Sequence, residues 1–475
     1  MSSKRRSNSG APGARRGRGD ALGAASAASP EQAALKLARA VAIPTVSHAD
    51  YSLIDRAAHR RFRAFLRTSF PLVHRNLSLR AIGDFGLVYY WQGADPALKP
   101  FLLAAHFDVV PADQGPGGQW THPPFSGHID DTYVWGRGAL DIKNSLVAIL
   151  EAAEALLASG YEPARGMYSA FGGDEEIDGR EGAAKIAAYL SESGVDLEYV
   201  LDEGTVIVTG MFSSGAPSMA LVSIAEKGHC NLDLTVADTG GHSSLPGRHT
   251  AVGVLCGAVA RLEKRPFPAR LTPALELFLR GLAKQAPPCL RPVLARPRIF
   301  WPVLRYALSR NSNSDALVRT SQAVTMIRGS DKENVLPGSA LATVNVRVLP
   351  GETVESVTSR IARVINDPRV KVTLNPRWLP NNPVSASATG SFGYRMISRT
   401  VSEIAPGTPV LPFLMGGSTD SKHYTLLTDC IYRFTPVFLD EEELKKIHGV
   451  DERISKENIR RCLDFFYRLI VNSSS

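Results

Sequence analysis

The chain reads as an α/β protein with a mixed, largely parallel sheet carrying helices on both faces, interrupted by an inserted ferredoxin-like α+β lid. Three observations predict this. Strand-like and helix-like runs alternate from about residue 30 to 217, a β-α-β-β-α-β order begins near Ala220, and alternation resumes after Pro380-Asn-Asn-Pro383. At 475 residues the chain exceeds one ordinary hydrophobic core, so two domains are expected.

In the first part, Pro100–Pro111 reads as a strand, Asn144–Ala158 as a helix and Gly166–Gly172 as a strand. Gly182–Ser191 reads as a helix and Glu198–Leu201 as a strand, an alternation that argues for parallel pairing. Next, Ser223–Val236 reads as one long strand with an irregularity at Gly228. Thr250–Lys264 is helical, with Val252, Leu255, Val259 and Leu262 on one stripe. Strands over Gln322–Arg328 and Ala340–Leu349, a helix over Glu352–Asn366 and an extended run over Val370–Asn375 complete the lid. An insertion of about 265–320, rich in Pro, Arg and aromatic residues, separates the lid's first helix from its second strand. Its composition suggests a wall for an acyl or side-chain pocket. The expected organisation is a basic tail (1–29), a discontinuous catalytic domain (30–218 and 384–475) and a lid or dimerisation domain (219–383).

The formal charge of +8 has a local origin, because residues 1–19 carry six basic side chains and no acidic one. That tail is expected to be disordered, and the nearly neutral remainder gives no reason to expect a specific nucleic-acid partner. No apolar core of a signal peptide follows Arg5-Arg6, and no run reaches the roughly 18 apolar residues of a membrane span. The five cysteines are scattered and form no C-x-x-C pair, which points away from disulfides and thiolate metal sites. A cytoplasmic protein is the expectation.

The chemistry-bearing residues are dispersed. His106 and Asp108 lie two apart at a strand end and so share a face, where Asp108 can orient the imidazole. Asp141 follows Trp135-Gly-Arg-Gly138 in a turn-rich stretch before a helix. Glu175-Glu176 follows a Gly-Gly turn, so adjacent carboxylates point apart and one can bind metal while the other acts as a base. Asp202 and His423 read as a strand-end acid and a loop histidine. Taken singly, each has an ordinary structural explanation. Together, two imidazoles and several carboxylates suit a pair of zinc-like ions, with cobalt or manganese as substitutes and Asp141 as a bridge. Arg347 lies with Thr343 and Asn345 on the face of a strand opposite Val344, Val346 and Val348, where it could fork a carboxylate.

The runs His106-Phe-Asp-Val-Val-Pro111, Gly138-Ala-Leu-Asp-Ile-Lys143 and Asp174-Glu-Glu176 resemble the co-catalytic zinc peptidases that include aminoacylases, carboxypeptidase G and succinyl-diaminopimelate desuccinylase. Lys332-Glu-Asn-Val-Leu-Pro337 and Leu308–Asn311 point to the carboxypeptidase S and N-fatty-acyl-amino-acid hydrolase branch. The resemblance runs from about residue 35 to the C-terminus. It implies that His106, Asp141 and Asp202 hold one zinc, and that Asp141, Glu176 and His423 hold the other. It also implies that Glu175 is the general base, Asp108 orients His106, and Arg347 takes a substrate carboxylate. His242 of Gly240-Gly-His-Ser-Ser244 resembles the family's oxyanion-stabilising histidine, often supplied by a partner subunit in a lid-mediated homodimer, and Asn334 is placed for nearby polar contacts. The implied activity is hydrolysis of the amide bond in small peptides or N-acyl amino acids with a free carboxylate. A dedicated N-acyl-amino-acid deacylase or condensing enzyme, and a non-catalytic binding protein on the same fold, are the alternatives.

Overall fold

The computed structural model describes residues 29–112, 119–210 and 218–474. The basic tail through residue 28 lies outside them. Eight strands form the large sheet: β1 (Ser78–Ile82), β2 (Gly86–Trp91), β3 (Phe101–His106), β5 (Met167–Gly172), β6 (Val200–Val208), β7 (Met219–Glu226), β14 (Val410–Met415) and β15 (Ile431–Leu439), while the short β4 (Tyr133–Trp135) pairs outside it with Arg453–Ser455. Their order is β1-β2-β5-β3-β6-β15-β7-β14. The central pairs β5–β3, β3–β6 and β6–β15 are parallel, while the β1–β2 hairpin joins β5 antiparallel. Every residue of β3 is buried, as expected of a strand covered on both faces.

The helices Pro30–Val41, Lys143–Ala158 and Lys456–Ser473 pack together over one face, with Leu37, Leu146, Ile149 and Phe466 in the main core. Ala183–Glu192 and the turn Asp420–Leu426 cover the other, through Ile186 and Tyr424. No helix among the described residues is long and apolar enough to cross a membrane.

The lid is a four-stranded antiparallel sheet of β8 (Gly228–Ala237), β10 (Ser321–Arg328), β12 (Ser339–Val348) and β13 (Val370–Leu374), ordered β10-β12-β8-β13. With the helices Ala251–Glu263 and Val354–Ile365 it has the ferredoxin-like order and its own core, including Leu232, Leu255, Val344 and Ile361. The strand expected over Ser223–Val236 is two strands. β7 belongs to the large sheet and β8 to the lid, and the chain crosses between them at Lys227–Gly228. A Cβ on Gly228 would collide with the Asn381 carbonyl, so glycine lets the outgoing and returning crossings lie side by side. They are bridged at Glu226–Val384 and His229–Asn381.

The insertion folds into the helices Pro273–Ala283, Arg291–Ala295, Trp301–Leu308 and Ser312–Val318. It packs against the large sheet's edge strand β14, where Phe278 meets Phe413 edge-on at 5.0 Å.

Candidate metal centre

The chemistry gathers at the carboxyl ends of the parallel strands, facing the lid across a cavity of about 570 Å³. His106 is the last residue of β3 and only 1% exposed. Its Nδ1 donates to the Asp108 carbonyl at 3.1 Å, with the Asp108 carboxylate at 3.4 Å. That directs Nε2 at Asp141 Oδ1 (3.2 Å), Glu203 Oε1 (3.4 Å) and Glu175 Oε2 (4.0 Å). The Asp108 carboxylate also accepts the backbone amides of Glu175 and Glu176, each at 3.1 Å. One buried acid therefore sets both the imidazole and the turn that presents the paired glutamates.

Asp141 offers its oxygens in two directions. Oδ1 faces His106, and Oδ2 lies 2.9 Å from His448 Nε2, which is also 3.1 Å from Glu176 Oε1. The loop carrying Asp141 is held by Glu452, whose Oε1 accepts the amides of Gly138, Leu140 and Asp141 at 2.9–3.1 Å. Glu452 Oε2 binds Arg137 at 2.7 Å, and Arg137 donates on to the His448 carbonyl at 3.1 Å. The loops bearing Asp141 and His448 are thus tied together from below.

Two expected positions are corrected. Asp202 does not join the cluster; Glu203 does. The pairing of β6 with β15 shifts register between Asp202 and Thr205, opposite Arg433 and Phe434. Gly204 sits in this bulge with φ +154°, where a Cβ would come within 2.6 Å of the Arg433 Cβ. Glu203 consequently lines the cavity, while Asp202 is buried on the other side, accepting the Glu203 amide at 2.8 Å. His423 is likewise absent from the cluster. Its Nε2 lies 3.0 Å from the Asp178 carbonyl, and it lines a separate cavity beside residues 379–386. His448, in the turn after the short helix Glu441–Leu444 that follows β15, stands by Asp141 and Glu176 instead. The Asp-Glu-Gly run at 202–204 hinted at the first shift, since a glycine after strand acids signals a bulge. His448-Gly449 was the corresponding turn signal for the second.

Among the lid residues, Arg347 lines the cavity, with Asn345 and Asn231 beside it. Burial holds its pKa below the ordinary arginine value, and no carboxylate among the described residues pairs with it. His242 and Asn334 do not line the cavity. His242 lies on the short strand β9 (Gly241–His242), paired with β11 (Val335–Leu336), and both residues are exposed. They are neighbours, because the Ser243 amide donates to the Asn334 carbonyl at 3.2 Å. The insertion supplies none of the cavity's lining residues, contrary to the expectation from its composition.

The donor set suits metal. Burial, then the neighbouring Glu203 charge, raises Glu175 well above the ordinary carboxylate range, and burial pushes Glu203 up to about 8. Burial would lower His106, but Glu203, Asp108 and Asp141 raise it well above its usual value. Hydrogen bonds to Asp141 and Glu176 lift His448 to about 10. Carboxylates this close repel one another and hold the imidazoles protonated, an imbalance that divalent cations would relieve. Ligand atoms of His106, Asp141 and Glu176, and of His106, Glu175 and Glu203, lie within 4.8 Å of one another.

Comparison with known proteins shows the family. The chain is 40% identical to a probable carboxypeptidase S-like protein 2 of Dictyostelium discoideum over 447 residues, covering 93% of this chain and 85% of that one. It is 39% identical to an N-fatty-acyl-amino acid synthase/hydrolase of Xenopus tropicalis over 440 residues, covering 92% and 85%. Its fold matches the M20 family metallo-carboxypeptidase Sso-CP2 from Sulfolobus solfataricus at TM-score 0.68 and 15% identity, covering 93% and 98%. Since the profile of peptidase family M20/M25/M40 also matches residues 102–472, the chain belongs to that family and is a metal-dependent hydrolytic enzyme.

Proposed function

We propose that the chain hydrolyses the amide bond of N-acyl amino acids, or of small peptides, next to a free carboxylate, using two zinc ions. The observation that carries this reading is Asp141, which turns one oxygen to His106 and the other to His448. His106, Asp141 and Glu203 would hold one ion, and Asp141, Glu176 and His448 the other. Imidazole and carboxylate without thiolate favour zinc over harder cations, with cobalt or manganese as substitutes. When bound, such ions lower the pKa of water and polarise the scissile carbonyl.

The chain's own groups supply the rest. Glu175, 4.0 Å from His106 Nε2 and presented by Asp108, takes a proton from the attacking water and delivers it to the leaving amine. Its raised affinity for protons suits that exchange. Arg347, on the lid wall of the cavity, receives the substrate carboxylate and so places the amide over the cluster. Val206, Val437, Leu439 and Ile447 form an apolar wall. Besides the carboxylates of the cluster, only Asp178 lines the cavity, and it is paired with Lys422 at 2.6 Å. Among the described residues a free amino terminus would therefore find no unpaired carboxylate outside the cluster, which favours an acylated substrate over a dipeptide. The exposed, adjacent His242 and Asn334 are consistent with a role delivered to a second subunit across a lid-mediated homodimer.

The test combines metal analysis of the purified protein with hydrolysis of N-acyl amino acids of rising chain length and of dipeptides. About two zinc ions per chain, chelator-sensitive turnover and preference for acylated substrates support the reading. Activity that persists without metal would overturn it.

A further inference from the structure

The insertion carries a surface that the hydrolytic site does not use. Along the helix Trp301–Leu308 the residues Phe300, Leu304 and Leu308 turn inward onto the main core. The opposite face is apolar as well. Val303 and Tyr306, three apart and therefore on one side of the helix, are 60% and 67% exposed, and Ile299, in the turn leading into it, is 71% exposed. Leu290, before the preceding helix, is 50% exposed. Isolated exposed apolar residues are ordinary, but a stripe along one helical face is not.

Charge identifies what fits this stripe. Residues 265–320 contain ten lysines and arginines and two acids, Glu276 and Asp315. Both acids are already engaged, Glu276 with Arg280 and Arg298, Asp315 with Arg319. Lys284, Arg291, Arg296, Arg305 and Arg310 are exposed, and no carboxylate among the described residues pairs with them. Aliphatic and aromatic side chains within a rim of cations that lack a carboxylate partner match the boundary between anionic headgroups and acyl chains. A second copy of the same face would set cations against cations. A nucleic acid would leave Ile299 and Val303 without a partner.

We propose that the face formed by Ile299, Val303 and Tyr306, with Arg296, Arg305 and Arg310 around it, docks on an anionic lipid surface. The protein would lie on the surface without spanning it. This inference is independent of the substrate reading, although the surface is coupled to the site. The insertion packs on β14, whose terminal Met415 lines the hydrolytic cavity.

The experiment is co-sedimentation of the full chain with vesicles of phosphatidylcholine alone and of phosphatidylcholine with phosphatidylserine. Binding is expected only to the anionic vesicles and should weaken with salt. Arg296→Glu with Arg305→Glu, and separately Ile299→Asp with Val303→Asp, should each lower the partition coefficient about tenfold or more. Tyr306→Asp alone serves as a milder variant, and thermal melting checks that each variant folds. The basic residues of 1–19 could attract anionic vesicles by themselves, so the comparison is repeated with those six replaced by serine. The insertion variants should still lose binding in that background. Binding unchanged by the insertion substitutions, or no binding to anionic vesicles at low salt, overturns the proposal. So does a finding that the same substitutions abolish only self-association in sedimentation velocity, which would assign the face to a second copy.

Discussion

Replacing His448 with glycine should remove one of the two metal positions, whereas replacing His423 with alanine should remove neither. His448 Nε2 lies 2.9 Å from Asp141 Oδ2 and 3.1 Å from Glu176 Oε1, so it completes one half of the cluster. Its backbone is left-handed, with φ 58°, a conformation that glycine accepts freely, so the substitution tests the side chain and not the turn. Mutating groups that merely orient metal ligands costs about 10–100-fold in affinity. Removing a ligand should therefore cost more than about 100-fold at that position, or roughly 2.7 kcal/mol. His423 makes one hydrogen bond, to the Asp178 carbonyl at 3.0 Å, so its loss should cost about 1 kcal/mol of stability and no metal. Glu203→Ala and Asp202→Asn form the matching pair on the other half. The assay is metal content by elemental mass spectrometry after dialysis against a weak chelator. Two retained metals in His448→Gly, or one lost in His423→Ala, would refute the assignment.

Glu175→Gln should keep both metals and the melting temperature but lose turnover by at least 10²-fold, the lower end of what a positioned general base contributes; unchanged turnover rules out that role. In the metal-free protein His448 is lifted to about 10, so its contribution to stability is fully present below its unfolded value of about 6.5 and disappears as pH rises towards 10. Glu203, pushed up to about 8 by burial, acts in the same direction, because the fold prefers its protonated form and stability falls as pH rises from about 4.5 to 8. Metal-free protein should therefore melt at a lower temperature at pH 9 than at pH 6.5, and loading metal at pH 8 should release protons. Melting curves and calorimetry in buffers of different ionisation enthalpy measure the two effects, and metal uptake without proton release would contradict the assigned ligands. Glu452→Gln must turn its amide group towards either three backbone N–H donors or the Arg137 guanidinium, and should cost about 2–3 kcal/mol. Because Asp141 rides on that loop, metal affinity should fall with stability, and a melting temperature equal to the wild type would show that the clamp is immaterial.

The large sheet was legible because its parallel strands are continuous apolar runs that end abruptly in polar residues. Phe101–His106 and Met167–Gly172 each end where the chemistry starts, so the strand pattern located His106 and the Glu175-Glu176 turn. The lid was legible from the order of its elements. The split of Ser223–Val236 was harder to see, because both halves are apolar and only Gly228 marks the crossing. The destination of the insertion was not encoded in periodicity at all. An amphipathic helix such as Pro273–Ala283 announces that it will bury a face, but not which of two cores will receive it.

The ligand set shows the same division at the level of single residues. A strand's two-residue period assigns side chains to faces only while the pairing stays regular, and Asp202-Glu203 sits where it does not. Had β6 continued without a bulge, choosing between the two acids would have required only the face of β3 that His106 occupies. Gly204 breaks the count, and the far side of the sheet then shows why Asp202 has other surroundings. Arg433, its register partner on β15, is wholly buried and donates to Glu226 at 2.7 Å, while Glu226 also accepts from Thr419 and Ser421. A buried arginine needs negative charge around it, and Asp202 adds to that supply from behind the strand. The Asp-Glu pair thus serves two sites on opposite sides of one strand: Glu203 faces the cavity, and Asp202 faces the ion pair beneath it. Removing the Asp202 charge should accordingly weaken the fold around Arg433 before it disturbs the metal, the reverse of the order expected for Glu203.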